Sequence, residues 1–157
     1  MPLLDRHIPN DKIKTVSGNM GITSQYTAGI AGETFLRALK DREEILGSYC
    51  NKCKKAFLPQ RLFCERCLSR LTETRMAPHE GILETFTIAH LDLEETRLEP
   101  PKTVGFVQFK GFEGGLIHYI LSSNEKKLKV GSRVKAVFLP SSQRKGSILD
   151  IAHFETI

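Results

Sequence analysis

The sequence predicts a mainly β protein with an N-terminal helical segment, built as a small cysteine-rich ribbon followed by a five-stranded closed barrel. An OB-fold is the natural candidate for that barrel. Three observations carry this. All four cysteines lie between Cys50 and Cys67, as two Cys-x-x-Cys pairs. A short apolar stripe, Phe35, Leu36 and Leu39, has helical spacing just before them. After Gly81 the pattern changes to short β-type runs separated by Gly and Pro turn signals.

In chain order, three parts are expected: an N-terminal arm over 1–32, a helix plus ribbon over 33–75, and the barrel over 76–157. The arm is poor in large apolar groups and is punctuated by Gly18, Gly21, Gly29 and Gly32. No strand precedes these glycines and no Gly-Lys-Ser/Thr follows them, so they match neither a P-loop nor a dinucleotide fingerprint. The arm reads either as a mobile tail or as a segment that orders against a partner through Met20, Ile22, Tyr26 and Ile30. Gly32 to Arg42 reads as the helix, with Glu33 placed for the positive end of its dipole. Ile45 to Tyr49 reads as a strand leading into the first cysteine pair, and Leu68 to Glu80 as a connector. The barrel strands are then Ile82–Leu91 (Ile82, Phe86 and Ile88 on one face), Thr103–Lys110, Leu116–Leu121, Arg133–Leu139 and Ser147–Phe154. An acidic loop, 92–101, follows the first strand, and a charged link, 122–130, with room for a helical turn, follows the third. An SH3-like barrel or a small open sandwich is the runner-up; the loop placement fits the OB plan better.

The cysteine spacing fits a tetrahedral metal site. Each Cys-x-x-Cys sits on a tight turn that aims two sulfurs at one point, and four thiolates suit Zn²⁺ in a closed site with no open position for substrate. A structural zinc site held by Cys50, Cys53, Cys64 and Cys67 is therefore expected. A rubredoxin-like iron site would use the same ligands. Two disulfides would need an oxidising compartment, and a redox pair is usually single and opens a helix. Zn²⁺ with four thiolates leaves about two negative charges, which Lys52, Lys54, Lys55, Arg61 and Arg66 can offset. Tyr49, Phe57, Leu58, Leu62 and Phe63 give the ribbon a small apolar floor. So small a unit takes its folding free energy largely from the metal.

The formal charge of +5 invites a nucleic-acid reading, but filling the metal site brings it to about +3. The bases also read as scattered among acids, which suits a solvated mixed surface. The first residues lack the apolar core of a signal peptide, and no run reaches the ~18 apolar residues of a membrane span. A cytoplasmic protein with reduced cysteines, no membrane contact and little claim on nucleic acid is the expectation.

The order of these parts, with Phe57-Leu58-Pro59-Gln60-Arg61-Leu62-Phe63-Cys64, Gly81-Ile82-Leu83-Glu84-Thr85-Phe86-Thr87, Val130-Gly131-Ser132-Arg133-Val134 and Gly146-Ser147-Ile148-Leu149-Asp150-Ile151, resembles the acyl-CoA-associated family in which a rubredoxin-like zinc ribbon precedes an OB-fold. The resemblance covers about residues 26–157. It implies a non-catalytic accessory or scaffold subunit bound to a thiolase-superfamily enzyme. In archaea such a subunit bridges acetoacetyl-CoA thiolase (an acetyl-CoA acetyltransferase) and hydroxymethylglutaryl-CoA synthase, which implies a role in the mevalonate pathway and in holding or channelling CoA thioesters. Two positions depart from the family pattern: Lys54 stands where Gly is common, and Glu65 where Pro is common.

No catalytic set stands out. The cysteines are assigned to metal, and His79, His90, His118 and His153 each suit packing or solvation. There is no His-Glu-x-x-His motif and no paired-carboxylate motif. A CoA phosphate contact would fall to Lys54, Lys55, Arg61 and Arg66 on the ribbon. The competing reading is a single-strand nucleic-acid binder. It would need exposed aromatics on a basic face, whereas Phe106, Phe109 and Tyr119 are interleaved with apolar neighbours as in a core. A third reading, an enzyme acting on acyl-CoA, lacks residues to perform the step.

Overall fold

The computed structural model describes residues 18, 21, 23, 24, 26–122 and 128–157. Among the described residues, one α-helix, α1 (Gly29–Arg42), precedes eight strands: β1 (Ile45–Cys50), β2 (Lys55–Leu58), β3 (Glu73–Ala77), β4 (Glu80–Leu91), β5 (Arg97–Gln108), β6 (Glu113–Leu121), β7 (Arg133–Phe138) and β8 (Ile151–Thr156). The last five form the barrel. β5 pairs with β4 and β6, and β4 pairs in turn with β7, all antiparallel. β8 then runs antiparallel to β7 and parallel to β6, through Ile120↔Phe154 and Leu121↔Glu155, which closes the ring. This is the expected OB-type barrel. The remaining strands form an antiparallel ribbon sheet, β3-β1-β2, whose inner edge pairs parallel with β6 through Phe57↔Glu113 and Leu58↔Gly114. At that seam Gly114 has φ +84°, and a Cβ there would collide with the Leu58 carbonyl, so the junction needs glycine.

Strand alternation fills the barrel. On β6, Leu116, His118 and Ile120 are buried while Ile117, Tyr119 and Leu121 face outward. Leu83, Val107, Phe109, Val134, Ile151 and Phe154 complete the centre, and Phe109 meets Phe154 edge to face at 6.1 Å. Phe35, Ala38 and Leu39 of α1 and Ile45, Leu46 and Leu58 of the ribbon sheet join the same cluster. The helix and the base of the ribbon thus share the barrel's core.

Several boundaries differ from expectation. The helix begins at Gly29, inside the segment read as an arm. Glu33 therefore lies beyond the first turn and pairs with Arg37 at 2.8 Å instead of facing the helix N-terminus. Tyr26 and Ile30 are exposed; Met20 and Ile22, the other proposed anchors, lie outside the described residues, as do 123–127 of the charged link. Part of the supposed connector 68–80 is strand β3, an edge strand with four of its five residues exposed. The loop after β4 is shorter than expected, because β5 starts at Arg97. Ile82, Phe86 and Ile88 do not share a face: a bulge between Leu83 and Thr85 shifts the parity, leaving Ile82 outward and Phe86 against the core. Residues 148–150 form a 3₁₀ turn before β8 begins. Of the three aromatics read as core, Phe109 is buried, Phe106 half-buried and Tyr119 exposed.

Two buried charged groups fasten the ends of the fold. The Asp150 carboxylate, 2% exposed, accepts hydrogen bonds from the backbone N–H of Lys145, Gly146 and Ser147 at 2.9, 2.8 and 3.2 Å. Arg144 donates to the Lys40 carbonyl at 2.6 Å and to Glu43 at 2.8 Å, so a cation sits at the negative end of α1. Among the described residues no helix is long and apolar enough to cross a membrane.

Candidate metal centre

The hairpin β1–β2 ends in the pair Cys50↔Lys55, which places Cys50 and Cys53 on the turn between the strands. There the Cys53 N–H points at the Cys50 Sγ, 3.4 Å away. The second pair sits on a matching turn. The Leu68 N–H donates to the Cys64 carbonyl and the Cys64 N–H to the Ser69 carbonyl, both at 2.9 Å, and Phe63 bridges Arg70. The two turns share one backbone device. The residue after each second cysteine is left-handed, Lys54 at φ 55° and Leu68 at φ 56°. Glycine takes that conformation without cost, so Lys54 and Leu68 hold it against their preference.

The loop between the turns is tied back to β1. The buried Ser48 hydroxyl donates to the Arg61 carbonyl at 2.8 Å and accepts from the Arg61 N–H at 3.0 Å. Under the sulfurs lie only Phe57 and Leu71, which with Cys50 and Cys64 make a separate small cluster. Phe63, expected in this floor, is 56% exposed.

All four sulfurs lie within 4.8 Å of one another, with Cys50 and Cys67 3.6 Å apart and Cys53 and Cys64 3.9 Å apart. A disulfide would bring two sulfurs to ~2.05 Å, so these are free thiols. A tetrahedron with metal–sulfur bonds of ~2.3 Å has edges of ~3.8 Å, so this donor set fits one tetrahedral metal ion. Zinc and iron alike accept such a cage. The bare thiols differ in how tightly they hold their protons. The Ser69 hydroxyl, 3.0 Å from Cys67, pulls that thiol down to about 6. The Cys53 backbone N–H lowers Cys50. Cys53 is pushed up to about 12, first by its hydrogen bond to the Cys67 sulfur. A metal ion entering the cage meets some sulfur already deprotonated and displaces the protons that remain.

The four ribbon cations assigned to a CoA contact are placed differently from one another. Lys55 and Arg66 both reach Glu113 on β6, at 3.1 and 2.9 Å. Arg61 pairs with Glu65 at 2.6 Å and lies over the Phe57 ring. Only Lys54 among them has no acidic partner among the described residues. Glu113, which the sequence reading did not single out, is thus a clamp between ribbon and barrel. The Lys55 ammonium, bonded to its carboxylate, holds it below the usual glutamate range. Its contact depends on the parallel β2–β6 pairing, which no local pattern announces. Asp150 was also missed, although Ser147-x-x-Asp150 is a capping-box pattern.

Two of the four histidines singled out in the sequence, His79 and His118, are packed; His90 is exposed and His153 half-buried. His118, 4% exposed, has Nε2 3.1 Å from the Ile148 carbonyl and Nδ1 accepting from the Tyr119 N–H; burial holds it below its usual value. His79 contacts the Glu43 carbonyl at 2.7 Å.

Residues 37–73 match the model of the ChsH2 rubredoxin-like zinc ribbon domain, and residues 74–139 that of the ChsH2 C-terminal OB-fold domain. Among solved structures, the chain is similar to a protein of unknown function from the DUF35 family of Sulfolobus solfataricus. They share 29% identity over 82% of this chain and 84% of that one, with a TM-score of 0.61. It also resembles a chain of a structure described as the Ltp2-ChsH2(DUF35) aldolase. Here the identity is 19% over 76% of this chain and 92% of that one, with a TM-score of 0.60, a likeness of fold. Ribbon and barrel are matched in adjoining stretches, in the order in which they occur, and the chain belongs to the family that joins a ChsH2-type rubredoxin-like zinc ribbon to a C-terminal OB-fold.

Proposed function

We propose that this chain is a non-catalytic accessory subunit that docks onto a thiolase-superfamily acyl-CoA enzyme, with Zn²⁺ as the structural metal of its ribbon. The observation that carries this is family membership read together with the site. The cysteines are gathered in a cage that leaves no sulfur free for nucleophilic work, and a related fold occurs in a structure named for Ltp2 together with ChsH2. The finer reading is a bridge between acetoacetyl-CoA thiolase and hydroxymethylglutaryl-CoA synthase that holds or channels CoA thioesters, in the cytoplasm. Of the four cations assigned to CoA, we carry forward Lys54, because Lys55, Arg61 and Arg66 are engaged with carboxylates. We also propose a division near residues 75–76, within β3, between the ribbon sheet and the barrel, with only the tip of the ribbon as the metal-dependent part.

The test is affinity purification of the tagged chain from its native source, with mass spectrometry of co-purifying proteins and metal analysis. The expected result is a thiolase-superfamily enzyme in stoichiometric amount and about one zinc per chain. Recovery of nucleic acid without an acyl-CoA enzyme, or acyl-CoA turnover by the isolated chain, would overturn the accessory role. Iron in place of zinc would overturn the metal assignment alone.

A further inference from the structure

β3 stands at one end of the sheet order and pairs only with β1. Among the described residues, no backbone group of Glu73–Ala77 makes a hydrogen bond outside that ladder. Its outer edge is therefore a row of N–H and C=O groups open to another strand. Natural edges of this kind are commonly guarded by a lysine, a proline or a bulge. β3 has none of these before Pro78. It reads Glu73-Thr74-Arg75-Met76-Ala77, with its first four residues exposed, Met76 to 64%. Glu73 and Arg75, two positions apart, share one face. Neutral groups hold both in place. The Asn51 side-chain amide donates to Glu73, and the Arg75 guanidinium lies 3.3 Å from the centroid of the Tyr49 ring. Neither charge has an opposite partner among the described residues.

We propose that this edge pairs antiparallel with β3 of a second copy of the chain, centred on Thr74, so that the two ribbon sheets become one continuous sheet. Residues opposite each other across an antiparallel pair lie on the same face. A two-fold pairing must therefore centre on a residue, and the side chains decide which one. Centring on Glu73 sets two carboxylates opposite each other, and centring on Arg75 two guanidiniums. Centring on Met76 or Ala77 brings Pro78, which has no N–H, into the paired stretch. Centring on Thr74 sets Glu73 of each copy opposite Arg75 of the other, and lays the exposed Met76 across from Thr72. The strand is thus complementary in charge to itself in one register and repels itself in the two beside it. An extended segment of a different protein could use the same backbone groups, but the spacing of these two charges selects β3 itself. The pairing is a property of the ribbon sheet and does not rest on the accessory role.

The test is sedimentation velocity on the metal-loaded full chain, over a concentration series that reaches the millimolar range. A reversible dimer is expected for the unaltered chain. Glu73→Arg and Arg75→Glu each turn both cross-strand attractions into repulsions, and each should weaken the dimer roughly tenfold or more. Mixed in equal amounts, the two variants should pair with one another as the unaltered chain does, because each then opposes the other's charges. The double exchange Glu73→Arg/Arg75→Glu should dimerise too. Arg97→Glu, at the far end of the β4–β5 hairpin, should leave association unchanged. Circular dichroism and metal content verify that each variant is folded. A chain that stays monomeric throughout the series would overturn the proposal. So would a dimer indifferent to both single reversals, or a mixture that associates no better than either variant alone.

Discussion

The barrel and the tip of the ribbon solve the same problem by different means. The barrel, with α1 and the base of β1 and β2, buries a cluster that runs from Phe35 to Phe154. The tip, residues 50–72, buries Phe57 and Leu71 against its own cysteines and little else. Its fold must come from a metal ion held by four sulfurs. The contrast teaches where metal dependence should stop. It should end at Leu58, where β2 leaves the small cluster, enters the large one and pairs with β6.

The largest effect should follow from breaking the cage. Cys64→Ser should abolish stoichiometric metal binding and unfold the tip, while α1 and the barrel keep their structure. Metal analysis and amide-resolved NMR would show both. Next comes the converse experiment. Phe109→Ala removes a ring that is 1% exposed at the barrel's centre and should lower global stability by about 3–5 kcal/mol, with metal content unchanged. Denaturant unfolding and metal analysis on the same sample would separate the two regions. Asp150→Ala removes the buried acceptor of three backbone N–H groups and should cost about 3 kcal/mol. The loss should fall on α1 and β8 rather than on the metal site.

The smallest effect concerns pH. Burial first, and His153 nearby to a lesser degree, hold the pKa of His118 below its ordinary 6.5 in the folded barrel. The unfolded chain therefore takes up this proton first as the pH falls. The contribution is complete above about pH 6.5 and declines as the pH drops from there toward the folded value. Denaturant midpoints measured in the Cys64→Ser background, where metal release plays no part, should fall over that window. His118→Gln should flatten the slope.

What could be read from the sequence was whatever depends on neighbours in the chain. The two cysteine pairs, the Phe35–Leu39 stripe and five barrel strands fall in this class. What escaped depends on distant partners. β3 has no alternation to betray it, because it is an exposed edge held only by β1. The face of β4 was misassigned because a bulge at Leu83–Thr85 breaks the period of two. Pro100-Pro101 looked like a loop, yet it lies within β5 on the stretch that projects with β4 beyond the barrel. Lys55 and Arg66 looked like free ribbon cations; the parallel β2–β6 pairing delivers Glu113 to both. Lys54 was noted as an odd replacement for glycine, and its positive φ explains why glycine suits that turn.

The most direct test of this division is hydrogen–deuterium exchange on the metal-loaded chain before and after chelation. Amides of residues 50–57 and 59–72 should lose protection on metal removal, while those of α1, β4–β8 and the Leu58–Gly114 seam keep theirs. Simultaneous loss of protection across the barrel would show that metal holds the whole molecule. An unchanged tip after complete metal removal would show that the ribbon folds without it. Either result would contradict the account.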